Sequence, residues 1–166
     1  MEDLLDMAYQ SDSGVTFLLK NGVLEPFQLY RSEGISIRTI VDGSLGFAST
    51  NDLKRSQIRK AVELAISSAG ATFELVGAPV ILSEEKFAQD KVVVRPRIGF
   101  ENIEFEAAVG LFKEADASVC ESASKRSVKM ASRLLTAQMG LCEKLVMNSD
   151  GASIYSSIPR TAFNYT

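Results

Sequence analysis

Gly34-Ile-Ser-Ile-Arg-Thr-Ile-Val-Asp-Gly-Ser-Leu-Gly-Phe-Ala-Ser-Thr-Asn-Asp-Leu53 writes a strand, a tight turn, a second strand and the start of a helix in one run. Ile35, Ile37, Thr39 and Val41 alternate with Ser36, Arg38 and Asp42, the period of a half-buried strand. Asp42-Gly43 supplies a turn, because both residues tolerate the positive φ of a type I′ hairpin. Beyond it Leu45 and Phe47 point one way and Gly46 and Ala48 the other. Ser49 to Asp52 is a cluster of helix-starting residues, and Ile58, Ala61, Val62, Ala65, Ile66 and Ala69 then recur at helical spacing. Gly70 is expected to close that helix, since glycine takes the left-handed conformation without steric cost. The opposite face carries Arg55, Arg59, Lys60 and Glu63, a solvated surface.

Upstream, Leu4, Leu5 and Ala8 within residues 1–10 fit a short helix. Val15 to Leu19 is β-rich, and Asn21-Gly22 is a second hairpin turn leading to a strand over Val23 to Arg31. Residues 15–49 therefore read as a four-stranded antiparallel meander. From Ala71 to Arg97 the periodicity fades around Gly77, Pro79 and Pro96, a connector in which Val92 to Arg95 could form a strand. Asn102 is expected to cap a helix striped by Phe105, Ala108, Phe112, Ala115 and Val119, with Gly110 weakening it by about 1 kcal/mol. Strands follow over 128–138 and 141–147 with a turn at Gly140. After the Asn148-Ser149-Asp150-Gly151 turn, two more strands flank Pro159. The expected class is α+β: an antiparallel meander packed on an amphipathic helix, repeated as a second helix-plus-strands unit. The expected organisation is a first domain over 1–74, a connector over 75–101, and a helix with antiparallel strands over 102–166.

The motifs of the first domain, in order and spacing, are Asn21-Gly22, Gly34-x-x-x-Arg38, Asp42-Gly43, Gly46-Phe47-Ala48 and the alanine-rich helix from about Lys54 to Ala69. This pattern resembles the N-terminal domain of the TldD/PmbA family, named as modulators of DNA gyrase and acting as cytoplasmic metallopeptidases. Asn148 to Gly151 is similar to the family's Asn-Ser-Glu-Gly turn, a looser match. The resemblance is specific over residues 15–70 and thin over 75–166. It implies an N-terminal, non-catalytic portion of a peptidase for small or unfolded peptides, forming chamber wall and subunit contacts. The partner would be a homo- or heterodimeric TldD/PmbA-type subunit, and zinc belongs to the family's catalytic domain. The site candidates are structural or interfacial: Gly34, Arg38, Gly43, Gly46, Phe47, Asn148, Ser149 and Gly151. The alternative is a stand-alone, PmbA-like module that binds peptide without enzymatic activity, by adding a strand to a free sheet edge.

The family's peptidase subunit carries its metal on a His-Glu-x-x-x-His helix, whereas these 166 residues contain no histidine. Zinc peptidases need imidazole or thiolate ligands and a carboxylate that accepts the water's proton. Cys120 and Cys142 are too few, lack metal-ligand spacing and are expected to be reduced thiols. Glu84-Glu85 and Glu104/Glu106 read as solvated charge. No Gly-x-Ser-x-Gly elbow occurs, and no histidine could activate a serine. The chain thus reads as a truncated or split member, ending before the long C-terminal domain with the metal-binding helix.

Composition sets the remaining bounds. Hydrophobic residues make up 46% and charged residues 23%, ordinary for a globular domain. A net charge of -3 with scattered cations argues against binding a phosphate backbone, so no nucleic-acid partner is expected. No apolar run approaches the roughly 20 residues that span a bilayer, and the start lacks a signal-peptide pattern. A cytoplasmic chain without a membrane partner is the expectation.

Overall fold

The computed structural model describes residues 4–72, 77–81, 88–99, 102 and 104–166. Its elements are β1 (Leu4–Lys20), β2 (Val23–Leu24), β3 (Gln28–Val41), β4 (Ser44–Thr50), α1 (Arg55–Thr72), β5 (Gln89–Val93), α2 (Phe105–Lys125), β6 (Leu134–Asn148) and β7 (Ser153–Tyr165). The class is α+β, with a seven-stranded sheet in the order β4-β3-β1-β6-β7-β5 and β2 paired to the end of β1. The β3–β4 pair is antiparallel, in register from Ile35↔Thr50 to Val41↔Ser44, as is β1–β2, whereas β5 is parallel to β7. Both predicted hairpin turns have the geometry that demands asparagine or aspartate followed by glycine. Asn21 and Gly22 stand at φ 51° and 80°, and Asp42 and Gly43 at 48° and 79°.

The chain divides into two compact units. The first comprises residues 1–11, 32–93 and 142–157. Its core gathers Ile35, Ile37 and Ala48 against Ala61 and Ala65 of α1, with Leu5, Met7 and Tyr9 of β1 packed alongside. Alternation decides which side chains take part. Gly46 and Ala48 face α1 while Leu45 and Phe47 face away, so the small residues lie under the helix and let its alanine face approach. Ala65 and Ala69 are fully buried, and Arg55, Arg59, Lys60 and Glu63 are exposed. Just before α1 the Asp52 carboxylate accepts from the Lys54 amide at 3.1 Å.

The second unit comprises residues 12–31, 94–141 and 158–166. Phe17, Leu19, Leu135 and Ala137 from the strands pack on Ala108, Val109 and Phe112 of α2. Each such large side chain withdrawn from water contributes about 1.5–3 kcal/mol. Helix α2 ends in a Schellman motif, with the Val128 amide donating to Ala123 O at 2.9 Å and the Ser127 amide to Ser124 O at 3.0 Å. Ser127 occupies the left-handed position at φ 54°.

Several local expectations give way. Residues 4–10 are the start of β1, because Leu5, Met7 and Tyr9 alternate toward the core at strand period. β3 runs unbroken through Glu33-Gly34 instead of splitting there, and only Val23–Leu24 of the expected second strand forms a separate piece. Gly70 lies inside α1, which continues to Thr72. Glu104, not Asn102, holds the N-cap position of α2, without a side-chain capping bond. Gly140 and Pro159 are internal to β6 and β7 rather than breaks. The β5 ladder ends opposite Ser157, so Pro159 falls beyond the β5–β7 ladder, where a proline interrupts no β5 bond. The predicted strand over 92–95 is displaced to Gln89–Val93.

Candidate functional site

In the first unit α1 covers one face of the strands, and the residues of odd register on β4 and even register on β3 face away from it. Arg38 of β3 and Phe47 of β4 are cross-strand partners on that open face. The Arg38 Nε donates to Asp6 Oδ2 of β1 at 3.0 Å, and a second guanidinium nitrogen donates to the same oxygen. The Arg38 side chain remains 56% exposed and Asp6 19%, so solvent screens the pair and it adds little to stability. Asp6, Ser36, Arg38, Phe47, Val146 and Asn148 surround a hollow of about 400 Å³. Ser36 Oγ donates to Ala8 O at 3.4 Å, and Phe47 keeps 58% of its surface in water. Charge, hydroxyl, amide and a bare aromatic ring thus share one concave surface.

The turn after β6 positions the fourth side of this surface. Asn148 Oδ1 accepts from the Ala152 amide at 2.8 Å, and Gly151 takes φ 98° to close the loop. Ser149 ties the turn to β1: its amide donates to Leu5 O at 2.9 Å, and the Leu5 amide donates to Ser149 Oγ at 3.2 Å. Of the residues singled out from sequence, Arg38, Phe47 and Asn148 meet at the hollow, with Ser149 behind Asn148. The glycines act through the backbone elsewhere. Gly43 makes the β3–β4 turn, and a side chain on Gly46 would stand 1.9 Å from Ala65 O of α1. One on Gly34 would stand 3.2 Å from Thr50 O.

Electrostatic perturbation concentrates in the second unit. Asp116 of α2 is buried, receives Arg133 Nε at 3.0 Å and a second guanidinium nitrogen at 3.1 Å, and accepts from Tyr165 Oη at 2.8 Å. The Arg133 bonds hold its carboxyl below the usual carboxylate range against the opposing effect of burial. Burial, then the bond to Asp116, pushes the Tyr165 phenol up to about 12. Arg133 also accepts the Asn21 amide on its carbonyl at 2.9 Å, so the cluster clamps the β1–β2 hairpin. In the first unit the bond to Glu143, at 2.5 Å, raises the Tyr155 phenol, with burial adding to it.

Among the described residues no donor set fits a peptidase metal. The chain has no histidine, and among the described residues no three cysteine, aspartate or glutamate side chains converge. Cys120 on α2 and Cys142 on β6 are thiols and form no disulfide. Glu104 and Glu106 are exposed, and Glu84-Glu85 lies outside the described residues. Among the described residues no helix is long and apolar enough to cross a membrane.

Asp6 escaped sequence reading because its segment was read as a helix, although the Leu5-Met7-Tyr9 alternation would have placed it on a strand. Asp116, Arg133 and Tyr165 escaped because nothing local links positions so far apart. An aspartate within the apolar stripe of α2 was the available clue.

The strands and α1 around Gly46 define an α+β sheet-and-helix domain with one open face and no metal-ligating cluster among its described residues. Residues 6–69 match the family model described as PmbA/TldA metallopeptidase domain 1, and over that stretch the chain carries a first domain of the TldD/PmbA kind. Among solved structures it is similar to a candidate modulator of a DNA gyrase from Thermotoga maritima, at 17% identity and TM-score 0.66, covering 98% of this chain and 39% of that one. TldE from Thermococcus kodakarensis is similar at 13% identity and TM-score 0.64, with 98% and 39% covered. A candidate modulator of DNA gyrase from Bacteroides thetaiotaomicron is similar at 18% identity and TM-score 0.67, with 99% and 36% covered. At these identities the likeness is one of fold, and the chain spans under two fifths of each relative's length. No curated protein matches the sequence.

Proposed function

We propose that this chain is the N-terminal, non-catalytic portion of a TldD/PmbA-type metallopeptidase, building chamber wall and subunit contacts for the proteolysis of small or unfolded peptides. The observation that carries the reading is a first-domain match over residues 6–69 in a chain without a single histidine. Cleavage then depends on a metal, zinc in this reading, held by residues outside this chain. The open face around Arg38 and Phe47 supports the contact role, because an exposed aromatic ring in a hollow rimmed by an ion pair and an amide is the composition of an interface centre. The partner is a second TldD/PmbA-type subunit, identical or related.

Sedimentation of the purified chain tests the contact. The expected species is a dimer that Phe47→Asp converts to monomer, because the aspartate stays solvated in the free subunit and would be stripped of water in the interface. A wild-type chain that stays monomeric at high concentration, alone and mixed with a TldD-type subunit, overturns the contact role. So does a Phe47→Asp chain that associates as the wild type does.

A further inference from the structure

The second unit holds a separate concavity that the proposed function does not use. About 370 Å³ is enclosed by Val15, Phe17, Phe27, Phe105 and Met139, with Tyr30 at one side. The volume falls in the range of ligand pockets, roughly 300–1,000 Å³. Its aromatic wall is ordered by ring contacts, with centroids 5.4 Å apart for Phe17 and Phe105 and 4.9 Å for Phe27 and Phe105. Among the described residues no charged side chain lines it, although 23% of the chain is charged. An ionic group entering would lose its hydration without a counter-charge, so the buried part of any occupant is neutral.

Two polar side chains, Ser13 and Tyr30, interrupt the apolar lining, and the phenol does so in a specific place. Tyr30 Oη sits over facing glycines of β1 and β6: a side chain on Gly14 would come within 2.7 Å of it, and one on Gly140 within 2.5 Å. Each glycine position also lacks room against the opposite backbone: an added Cβ would stand 2.3 Å from Met139 O at Gly14 and 2.5 Å from Ser13 O at Gly140. The glycine pair therefore makes the seat in which the phenol rests. Tyr30 lines the pocket with its hydroxyl, a donor placed where an occupant's carbonyl can accept from it.

We infer that this pocket binds the aromatic or branched aliphatic side chain of an extended peptide, whose main-chain carbonyl accepts from Tyr30 Oη. An uncharged apolar body joined to a carbonyl acceptor satisfies both features, and an amino-acid residue within a peptide is that combination. The choice of a peptide over another neutral apolar ligand rests on the peptidase reading above. The pocket itself rests on the geometry alone.

The probe is N-acetyl-phenylalanine amide, titrated into the isotope-labelled chain and followed by amide chemical shifts. Saturable shifts are expected at Gly14, Val15, Phe27 and Leu29, with N-acetyl-aspartate amide at least about tenfold weaker. Tyr30→Phe, which keeps the ring on its glycine seat, should weaken the phenylalanine probe by about three- to tenfold, the size of one neutral hydrogen bond. Phe27→Ala, at a half-exposed position, should weaken it further by opening the wall. Absence of saturable shifts, equal binding of the aspartate probe, or unchanged affinity in Tyr30→Phe overturns the inference. Because the titration needs no partner subunit and no metal, its failure is distinct from failure of the sedimentation test.

Discussion

Replacing Gly46 with alanine tests how α1 is seated. An added Cβ would stand 1.9 Å from Ala65 O, 2.8 Å from Ala69 N and 2.9 Å from Ala65 C. Restoring an ordinary contact of 3.4 Å requires α1 to retreat by about 1.5 Å, the difference between 3.4 and 1.9. The obstacle is helix backbone, which has no rotamer to change, so the whole alanine face lifts from Ile37 and Ala48. Overpacking of this kind costs about 3 kcal/mol, the upper end for core substitutions. Removing glycine from a strand returns roughly 0.5–1 kcal/mol, leaving a net loss of about 2 kcal/mol. With an m-value of about 2 kcal/mol/M, the urea midpoint followed by circular dichroism should fall by about 1 M. Gly70→Ala is the control. It lies in the same helix with nothing within 4 Å, and should raise the midpoint by about 0.5 M through helix propensity. A Gly46→Ala midpoint at or above that of the wild type would refute the close seating of α1 on β4.

The Asp116 cluster predicts opposite limits of pH stability. Asp116 has a lowered pKa when folded, so its contribution is present above the ordinary value of 3.8 and is lost as pH falls through the folded value. Tyr165 has a raised one, so its contribution is complete below 10.0 and disappears as pH rises toward about 12. Urea midpoints of the wild type should therefore fall between pH 10 and 12 more steeply than those of Tyr165→Phe, and parallel slopes would contradict the buried phenol. Ser127→Gly relieves a non-glycine residue at φ 54° and should stabilise α2's end by about 1 kcal/mol, read as a higher midpoint; a lower one would mean that the Schellman turn is not formed.

Legibility in the sequence followed the range of the interaction. Turns at Asn21-Gly22 and Asp42-Gly43 were legible because a positive φ is a property of one residue, and α1 was legible because its stripe repeats within a single element. The alternation of Leu45, Gly46, Phe47 and Ala48 was legible for the same reason. Breaks read at Gly34, Gly140 and Pro159 were misplaced because those residues serve long strands. Gly140 is a glycine so that β6 can lie close to Gly14 of β1, which no local pattern announces. Arg38 and Phe47 were found as residues, but the hollow they share depends on Asp6 and Asn148, brought there by strand order. Tyr30 on its glycine seat and the Asp116, Arg133, Tyr165 cluster belong to the same class: contacts fixed by register across distant strands.

Hydrolysis of casein and of short peptides by the purified chain, with and without added zinc, measures the central claim directly. The account predicts no cleavage in either condition, because the 166 residues hold no imidazole to ligate the metal. Zinc-dependent turnover by the pure chain would contradict it.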